Sequence, residues 1–545
     1  MRLLRLVPFL LLVFLTLFAE AAERPSLVVV VSVDQFRAEY LDRFAPHFGP
    51  GGFRLMLEKG ARFTNARFDH SMTMTGPGHA VLLTGTYGNV NGITANGWWD
   101  AVARRDVYCV EDPSATLLGA PGRGSSPANL MTSTFGDELR LATAFQSKVV
   151  SVSNKDRAAV LMAGKMPSGV FWMAESVYTT STYYTHTLPP WVQQFNAAGV
   201  VNGYFGRVWE RLLPEEAYAL CDRDDVPYEG AGAGLGRAFP HPVTGDDRTR
   251  ITPSYYNALL TSPFGAEVLA AFARAAVRGE ALGKRGVTDL LCVGFSSPDY
   301  IGHTYGPNSQ EVMDMAVRMD RILADFFAFL ESEVGLRNCL IVLTSDHGVA
   351  PIPEYVTSHH PSANAGRLMV EPAKAAAEAA LSRRFGAPAR GTWIEAVSNN
   401  SIYLNRDVTR ERGVDPGVAA QALADTLRRW KQMAAAFTHA QLAVLTPSST
   451  LERRMKHSFH PLRTGDVFYA LRPYWIEGYG TTGTSHGEPH DYDAHVPMIF
   501  AGRGVRPGVY AVEASPADIG PTLSALLGVL FPAGRDGKVR AEALR

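Results

Sequence analysis

Four short runs of apolar, largely β-branched residues constrain the fold of this chain more than anything else in it: SLVVVVSV (26–33), KVVSVS (148–153), DLLCVGF (289–295) and CLIVLTS (339–345). None alternates apolar with polar residues, as a strand with one wet face does, so each predicts a strand buried on both faces. Amphipathic helical patterns lie between them. The clearest is SQEVMDMAVRMDRILADFFAFLESEV (309–334), where apolar residues recur at spacings of three and four. Strands alternating with helices predict an α/β fold, a central and mostly parallel sheet with helices on both faces. A fifth run, VPMIFAG (496–502), predicts another strand, and SPADIGPTLSALLG (515–528) a capped helix against the core.

Two long stretches interrupt this pattern. Residues 160–285 are rich in Tyr, Pro and Gly without a clean period, and are expected to form a surface insertion shaping a substrate entrance. Residues 355–480 hold a strand-like WIEAVSNNSIYLN (393–405) and a helix-like GVAAQALADTLRRWKQMAAAF (417–437), and are expected to form a small inserted α/β subdomain. Ahead of the first strand, two arginines in residues 1–5, an apolar run at 6–18 and Ala19-Glu20-Ala21 have the order of parts of a signal peptide. The apolar run is short of the roughly 20 residues a membrane span needs. The expectation is a cleaved leader at 1–21, a mature chain of 22–545, and a periplasmic or secreted protein without stable membrane association. A formal net charge of -1 gives no electrostatic reason to expect nucleic-acid binding. The four cysteines include no CxxC pair. Cys292 and Cys339 read as buried thiols within strands, and an oxidising compartment permits a bond between Cys109 and Cys221.

The residues that follow the strands carry the chemistry. The first run ends at Asp34, and the second leads into Lys155 and Arg157 in SNKDR. The third leads to Asp299 and His303 in SSPDYIGH, and the fourth ends in Asp346-His347 within TSDHG. In open α/β sheets ligands collect at the carboxyl ends of the strands. Singly, each of these residues is an ordinary cap or turn residue, but four strands delivering such groups to one edge is not. With His486 from GTSHGEPHDYDAH, they offer three Asp and three His, a ligand set suited to two Zn²⁺. The absence of thiolate leaves Mn²⁺ and Fe²⁺ chemically open. Two metals about 4 Å apart can stabilise the attacking and leaving oxygens of a phosphoryl displacement.

Thr75 supplies a nucleophile to such a site. It precedes Gly-Pro-Gly and an apolar helical stretch, so it lies at a helix N-terminus, with Pro77 in the first turn. Backbone N–H groups there favour a bound phosphate. A threonine hydroxyl is a poor nucleophile until metal coordination or a base activates it.

In order along the chain, VDQFR, TGPGHA, SNKDR, PDxxGH, SDHG and GTSHG resemble the alkaline phosphatase superfamily, and within it the secreted bacterial phosphate-irrepressible enzymes that use threonine. The resemblance spans nearly the whole mature chain and implies an alkaline-phosphatase-like α/β fold. It implies that Asp299, His303 and His486 hold one zinc, which activates water and stabilises the leaving-group oxygen. Asp34, Asp346 and His347 then hold a second, with Thr75 bound to it. Asn96, 21 residues after Thr75 (96 − 75 = 21), matches the family's phosphoryl-binding asparagine, and Lys155 and Arg157 match its Lys-x-Arg pair. The implied reaction is hydrolysis of small-molecule phosphate monoesters through a covalent phosphothreonine, by a protein expected to be monomeric.

Two alternatives belong beside this reading. A phosphodiesterase or nucleotide pyrophosphatase on the same two-zinc scaffold shares the ligands and threonine, and is expected to lack the Lys-x-Arg pair. A non-catalytic metal- or phosphate-binding protein needs no nucleophile, which Thr75 argues against. A sulfatase needs a cysteine or serine in C/S-x-P-x-R, where this chain has TGPGH.

Overall fold

The structure, a computed structural model, describes residues 24–478, 480–534 and 536–545. The leader expected at 1–21 lies outside them. Among the described residues, no helix is long and apolar enough to cross a membrane.

All four constraining runs are strands of one sheet. In chain order the sheet is built from β1 (Leu27–Val33), β2 (Gly60–Ala66), β3 (Val149–Ser153), β4 (Gly169–Ala174), β5 (Val177–Thr179), β6 (Asp289–Phe295), β7 (Cys339–Thr344), β8 (Met498–Gly502) and β9 (Gly508–Ala514). Their spatial order is β9-β2-β8-β7-β1-β6-β3-β4-β5. The five strands β7, β1, β6, β3 and β4 are mutually parallel, and β8 and β5 run antiparallel on either side of them. Beyond β8, strands β2 and β9 return to the common direction. VPMIFAG is therefore a strand, but an antiparallel one.

The continuous apolar runs exist because both faces of these strands are covered. Leu27, Val29, Val31 and Val33 of β1 face a core completed by the helices α3 (Pro263–Gly279) and α5 (Gln310–Glu333). Val28 and Val30 face the opposite core, with Val81–Leu83 of α1 (Thr75–Thr84) and with α6 (Ile519–Leu527). Every residue of β1, β6 and β7 is buried. Ser515 and Asp518 form a capping box just ahead of α6.

Register matters most for function. Val33 pairs with Phe295, Ser32 with Thr344, and Gly294 with Ser153. The carboxyl ends of β1, β6, β7 and β3 are level, so the residues after them emerge side by side.

The sheet extends into the stretch expected as an insertion at 160–285, because GVFWMA and VYT pair on as β4 and β5, and α3 packs on the sheet. Between them the chain makes a long, mostly irregular excursion. Within 355–480, Ile394–Ser398, Ser401–Leu404, Val467–Leu471 and Met433–Thr438 form an antiparallel sheet in that order, with a core of its own. Two details differ from the sequence pattern. Residues 393–405 are a hairpin, not one strand, because Asn399 and Asn400 both adopt positive φ and turn the chain. The helix expected through 437 stops at Leu427, and the alanine-rich remainder pairs with Val467–Leu471, so the ladder overrides alanine's helix preference. All four cysteines are free, which excludes the Cys109–Cys221 bond. Cys109 and Cys221 pack in different parts of the core.

Candidate active site

The level strand ends bring Asp34, Lys155, Asp299, His303, Asp346 and His347 together. Asp299 and His303 lie one turn apart on α4 (Ser297–Tyr305), which starts just after β6. Thr75 opens α1, buried, with Met74 before it in extended conformation. Gly78 lets this helix come close to β7, since a β-carbon there would collide with the Asp346 carbonyl. His486 arrives from the loop 483–490, which Asp493 fastens by accepting from the N–H groups of Gly487 and Glu488.

Two groups of ligand atoms converge. Asp299, His303 and His486 form one, and Asp34, Asp299 and His347 form another, each with its atoms within 4.8 Å of one another. Asp346 Oδ2 lies 3.4 Å from His347 Nε2. All three imidazoles are oriented alike. Nδ1 of His303 donates to Thr484 O at 2.9 Å, that of His486 to Thr73 O at 2.7 Å, and that of His347 to Gly348 O at 2.8 Å. Each ring therefore aims an Nε2 lone pair into the site, as metal-binding histidines do.

The site is short of positive charge on its own. His303 Nε2 and His486 Nε2 face each other at 3.1 Å beside Asp299 Oδ1. Asp34 Oδ1, Asp346 Oδ2 and His347 Nε2 are buried and make no hydrogen bond. Burial pushes the His347 imidazole down to about 3, so its ring is neutral. Burial, with Asp346 alongside, pushes the Asp34 carboxyl well above the usual range. Burial would also raise Asp299, but Lys155 and His303 outweigh it and hold that carboxyl well below its ordinary value. Carboxylate oxygens and imidazole Nε2 atoms that converge in this way suit divalent cations.

Lys155 and Arg157, the latter in the first turn of α2 (Asp156–Ala163), flank Thr75. Lys155 Nζ donates to Asp34 Oδ2 at 2.6 Å and Asp299 Oδ2 at 2.5 Å, and lies 3.5 Å from Thr75 Oγ. Burial disfavours its ammonium, yet Asp299 and Asp34 hold its pKa above the ordinary lysine range. Arg157 Nη2 lies 3.4 Å from Thr75 Oγ. Asn96 Oδ1 accepts from Gly76 N at 2.7 Å, which turns its amide N–H₂ away from that contact.

The structure adds residues that the sequence did not single out. His79, one turn after Thr75, places Nδ1 2.9 Å from Thr75 O and 3.2 Å from Asp346 Oδ2; its i, i+4 spacing from Thr75 was the available signal. Arg157 Nη1 donates to Tyr108 Oη at 3.3 Å, and Tyr108 in turn donates to Asp156 Oδ1 at 2.6 Å. Gln35 bridges Asp299 and Asp346. Neither Tyr108 nor Gln35 carries a spacing signal.

A family model described as type I phosphodiesterase / nucleotide pyrophosphatase matches residues 28–493. Alkaline phosphatase PhoV of Synechococcus elongatus is 35% identical over 97% of this chain and 95% of its own length. Alkaline phosphatase PafA of Elizabethkingia meningoseptica is 34% identical over 96% and 95% respectively. A crystal structure of wild-type PafA matches with a TM-score of 0.89 at 34% identity, covering 96% of this chain and 100% of that one. A PafA variant substituted at one threonine, one asparagine, one lysine and one arginine matches with the same TM-score at 33% identity.

Proposed function

The chain belongs to the type I phosphodiesterase / nucleotide pyrophosphatase family of the alkaline phosphatase superfamily and is a phosphatase, and from that premise we propose that it hydrolyses phosphate monoesters at two zinc ions through a phosphothreonine at Thr75. The observation that carries the reading is Thr75 Oγ at the N-terminus of α1, faced by Arg157 and Lys155 and set beside the two groups of convergent ligand atoms.

Asp299, His303 and His486 would hold one zinc, and Asp34, Asp346 and His347 the other. Zinc at these positions supplies Lewis-acid stabilisation to the attacking and leaving oxygens and lowers the pKa of a hydroxyl or water. The protein's own groups do the rest. The N-terminal end of α1 places backbone N–H groups and dipole at the phosphoryl group. Asn96, its carbonyl engaged by Gly76 N–H, keeps its amide protons for a non-bridging oxygen. Arg157, steadied through Tyr108 and Asp156, and Lys155 place two cations on the same oxygens. Attack by Thr75 Oγ expels the alcohol, and water then releases phosphate from the threonine.

In the substituted PafA variant the threonine and asparagine stand 21 residues apart and the lysine and arginine two apart (100 − 79 and 164 − 162). These intervals equal those from Thr75 to Asn96 and from Lys155 to Arg157, which supports the assignment of the same four positions. We place the activity in an exported monomer whose catalytic domain is 22–545, with the irregular excursion between β5 and α3 and the subdomain within 355–480 shaping access.

Diester hydrolysis is the second reading, favoured by the description of the matching family. Two cations beside the nucleophile, Lys155 buried and Arg157 half-buried, favour a dianionic monoester over a monoanionic diester. The test is catalytic efficiency for a monoester and its matched diester on protein of measured zinc content. Preference for the diester would reverse the assignment.

A further inference from the structure

Gln35 follows Asp34 directly, is buried, and has a backbone φ of +64°, a left-handed conformation uncommon outside glycine. Its two ends reach Asp346 and Asp299, ligands proposed above for different metals. The backbone N–H donates to Asp346 Oδ1 at 3.2 Å. The side-chain Nε2 donates to Asp299 Oδ1 at 2.6 Å and to the Asp299 carbonyl at 3.3 Å. The next residue is pinned as well: Phe36 N–H donates to Ser345 Oγ at 3.0 Å, and Ser345 Oγ donates to His347 O at 2.7 Å.

We propose that Gln35 is a positioning residue that orients Asp299 and Asp346 together and so couples the geometry of the two metal groups. This deepens the metal-binding reading above and rests on it. By engaging Asp346 Oδ1, the Gln35 N–H leaves Oδ2 as the carboxylate oxygen without a hydrogen bond, 3.4 Å from His347 Nε2. By donating to Asp299 Oδ1, which lies 3.3 Å from His303 Nε2, the amide fixes that carboxylate with Oδ2 toward Lys155. The left-handed turn at 35 lets one residue do both. It aims the main-chain donor at the loop after β7 while the side chain reaches α4.

Gly302 provides the space. It lies on α4 between Asp299 and His303, and a β-carbon there would collide with Gln35 Oε1; outside its own helix, the three atoms nearest that position all belong to the Gln35 amide. The glycine of the PDYIGH segment is thus explained by the amide that reaches across it.

This gives a test by double-mutant cycle. Gln35→Gly removes the amide while suiting the left-handed backbone, and Gly302→Ala keeps the amide but displaces it. Each metal-free variant is titrated with zinc against a competing chromogenic chelator, and thermal unfolding verifies that it is folded. Loss of an outer-sphere partner typically weakens metal affinity about 10- to 100-fold, and that loss is expected for each single variant. The double variant should bind zinc no worse than Gln35→Gly alone, because the amide that the added β-carbon would displace is then absent. Native zinc affinity in Gln35→Gly, or losses that multiply in the double variant, would overturn the proposal while leaving the metal reading intact. Wild-type protein that takes up no divalent metal would overturn that reading, and the role of Gln35 with it.

Discussion

Replacing Lys155 and Arg157 together by alanine should damage monoester hydrolysis far more than diester hydrolysis. Both cations face the proposed nucleophile, with Arg157 Nη2 at 3.4 Å and Lys155 Nζ at 3.5 Å from Thr75 Oγ, but they are not equivalent. Lys155 already donates to Asp34 and Asp299. Arg157 is held through Nη1 by Tyr108 and has a buried Nε without a partner. Arg157 therefore has the more readily available donors, and Arg157→Ala should be the more damaging single change. Each charge-assisted hydrogen bond lost in a desolvated site costs about 2–4 kcal/mol, or roughly 30- to 1,000-fold in rate. The two losses should not add fully, because both groups act on one phosphoryl group. A diester lacks the second negative charge and should lose much less. The assay is kcat/KM for an aryl phosphate monoester and its matched alkyl aryl diester, on protein with confirmed zinc occupancy. Equal fold-losses on the two substrates would refute the argument, make the pair structural and favour the diesterase reading.

Other outcomes follow from the same geometry. If the proposed two-zinc assignment holds, Asp346→Ala and His486→Ala should each lose one zinc and nearly all activity, because each metal would serve a different oxygen; elemental analysis that finds two zincs in both variants would contradict the ligand assignment. Thr75→Ser should keep substantial turnover and Thr75→Ala should lose the covalent route, read as monoester kcat; an active Thr75→Ala would contradict it. Burial together with Glu311 and Asp224 pushes the Glu229 carboxyl from 4.5 up to about 10. The folded state then holds a proton that the unfolded chain releases near 4.5, so this group's contribution to stability falls as pH rises from about 4.5 to 10. Glu229→Gln, which cannot ionise, should gain thermal stability over the native protein increasingly between pH 6 and pH 10. A melting-temperature difference that does not change with pH would contradict this.

The sheet was legible because strands buried on both faces exclude polar residues, leaving runs such as VVVVSV and DLLCVGF that few other structures use. Their equal register then made the strand ends readable as one place, which is why Asp34, Lys155, Asp299 and Asp346 were nameable from sequence. Strands β4 and β5 were hidden because GVFWMA and VYT are short and lie among Pro, Gly and Tyr. The Asn399-Asn400 turn was missed because apolar residues on both sides read as one continuous strand. Gln35 and Tyr108 act through contacts between residues distant in sequence, 264 positions apart for Gln35–Asp299 and 49 for Tyr108–Arg157. No local pattern records such contacts.

The covalent role of Thr75 is tested most directly by the stereochemical course at phosphorus. A phosphate monoester made chiral at phosphorus with oxygen isotopes is turned over in the presence of an acceptor alcohol, and the configuration of the transferred phosphoryl group is determined. Transfer to Thr75 and then to the acceptor is two successive in-line displacements, each inverting phosphorus, so the account predicts net retention. Net inversion would mean a single direct displacement and would contradict the phosphothreonine.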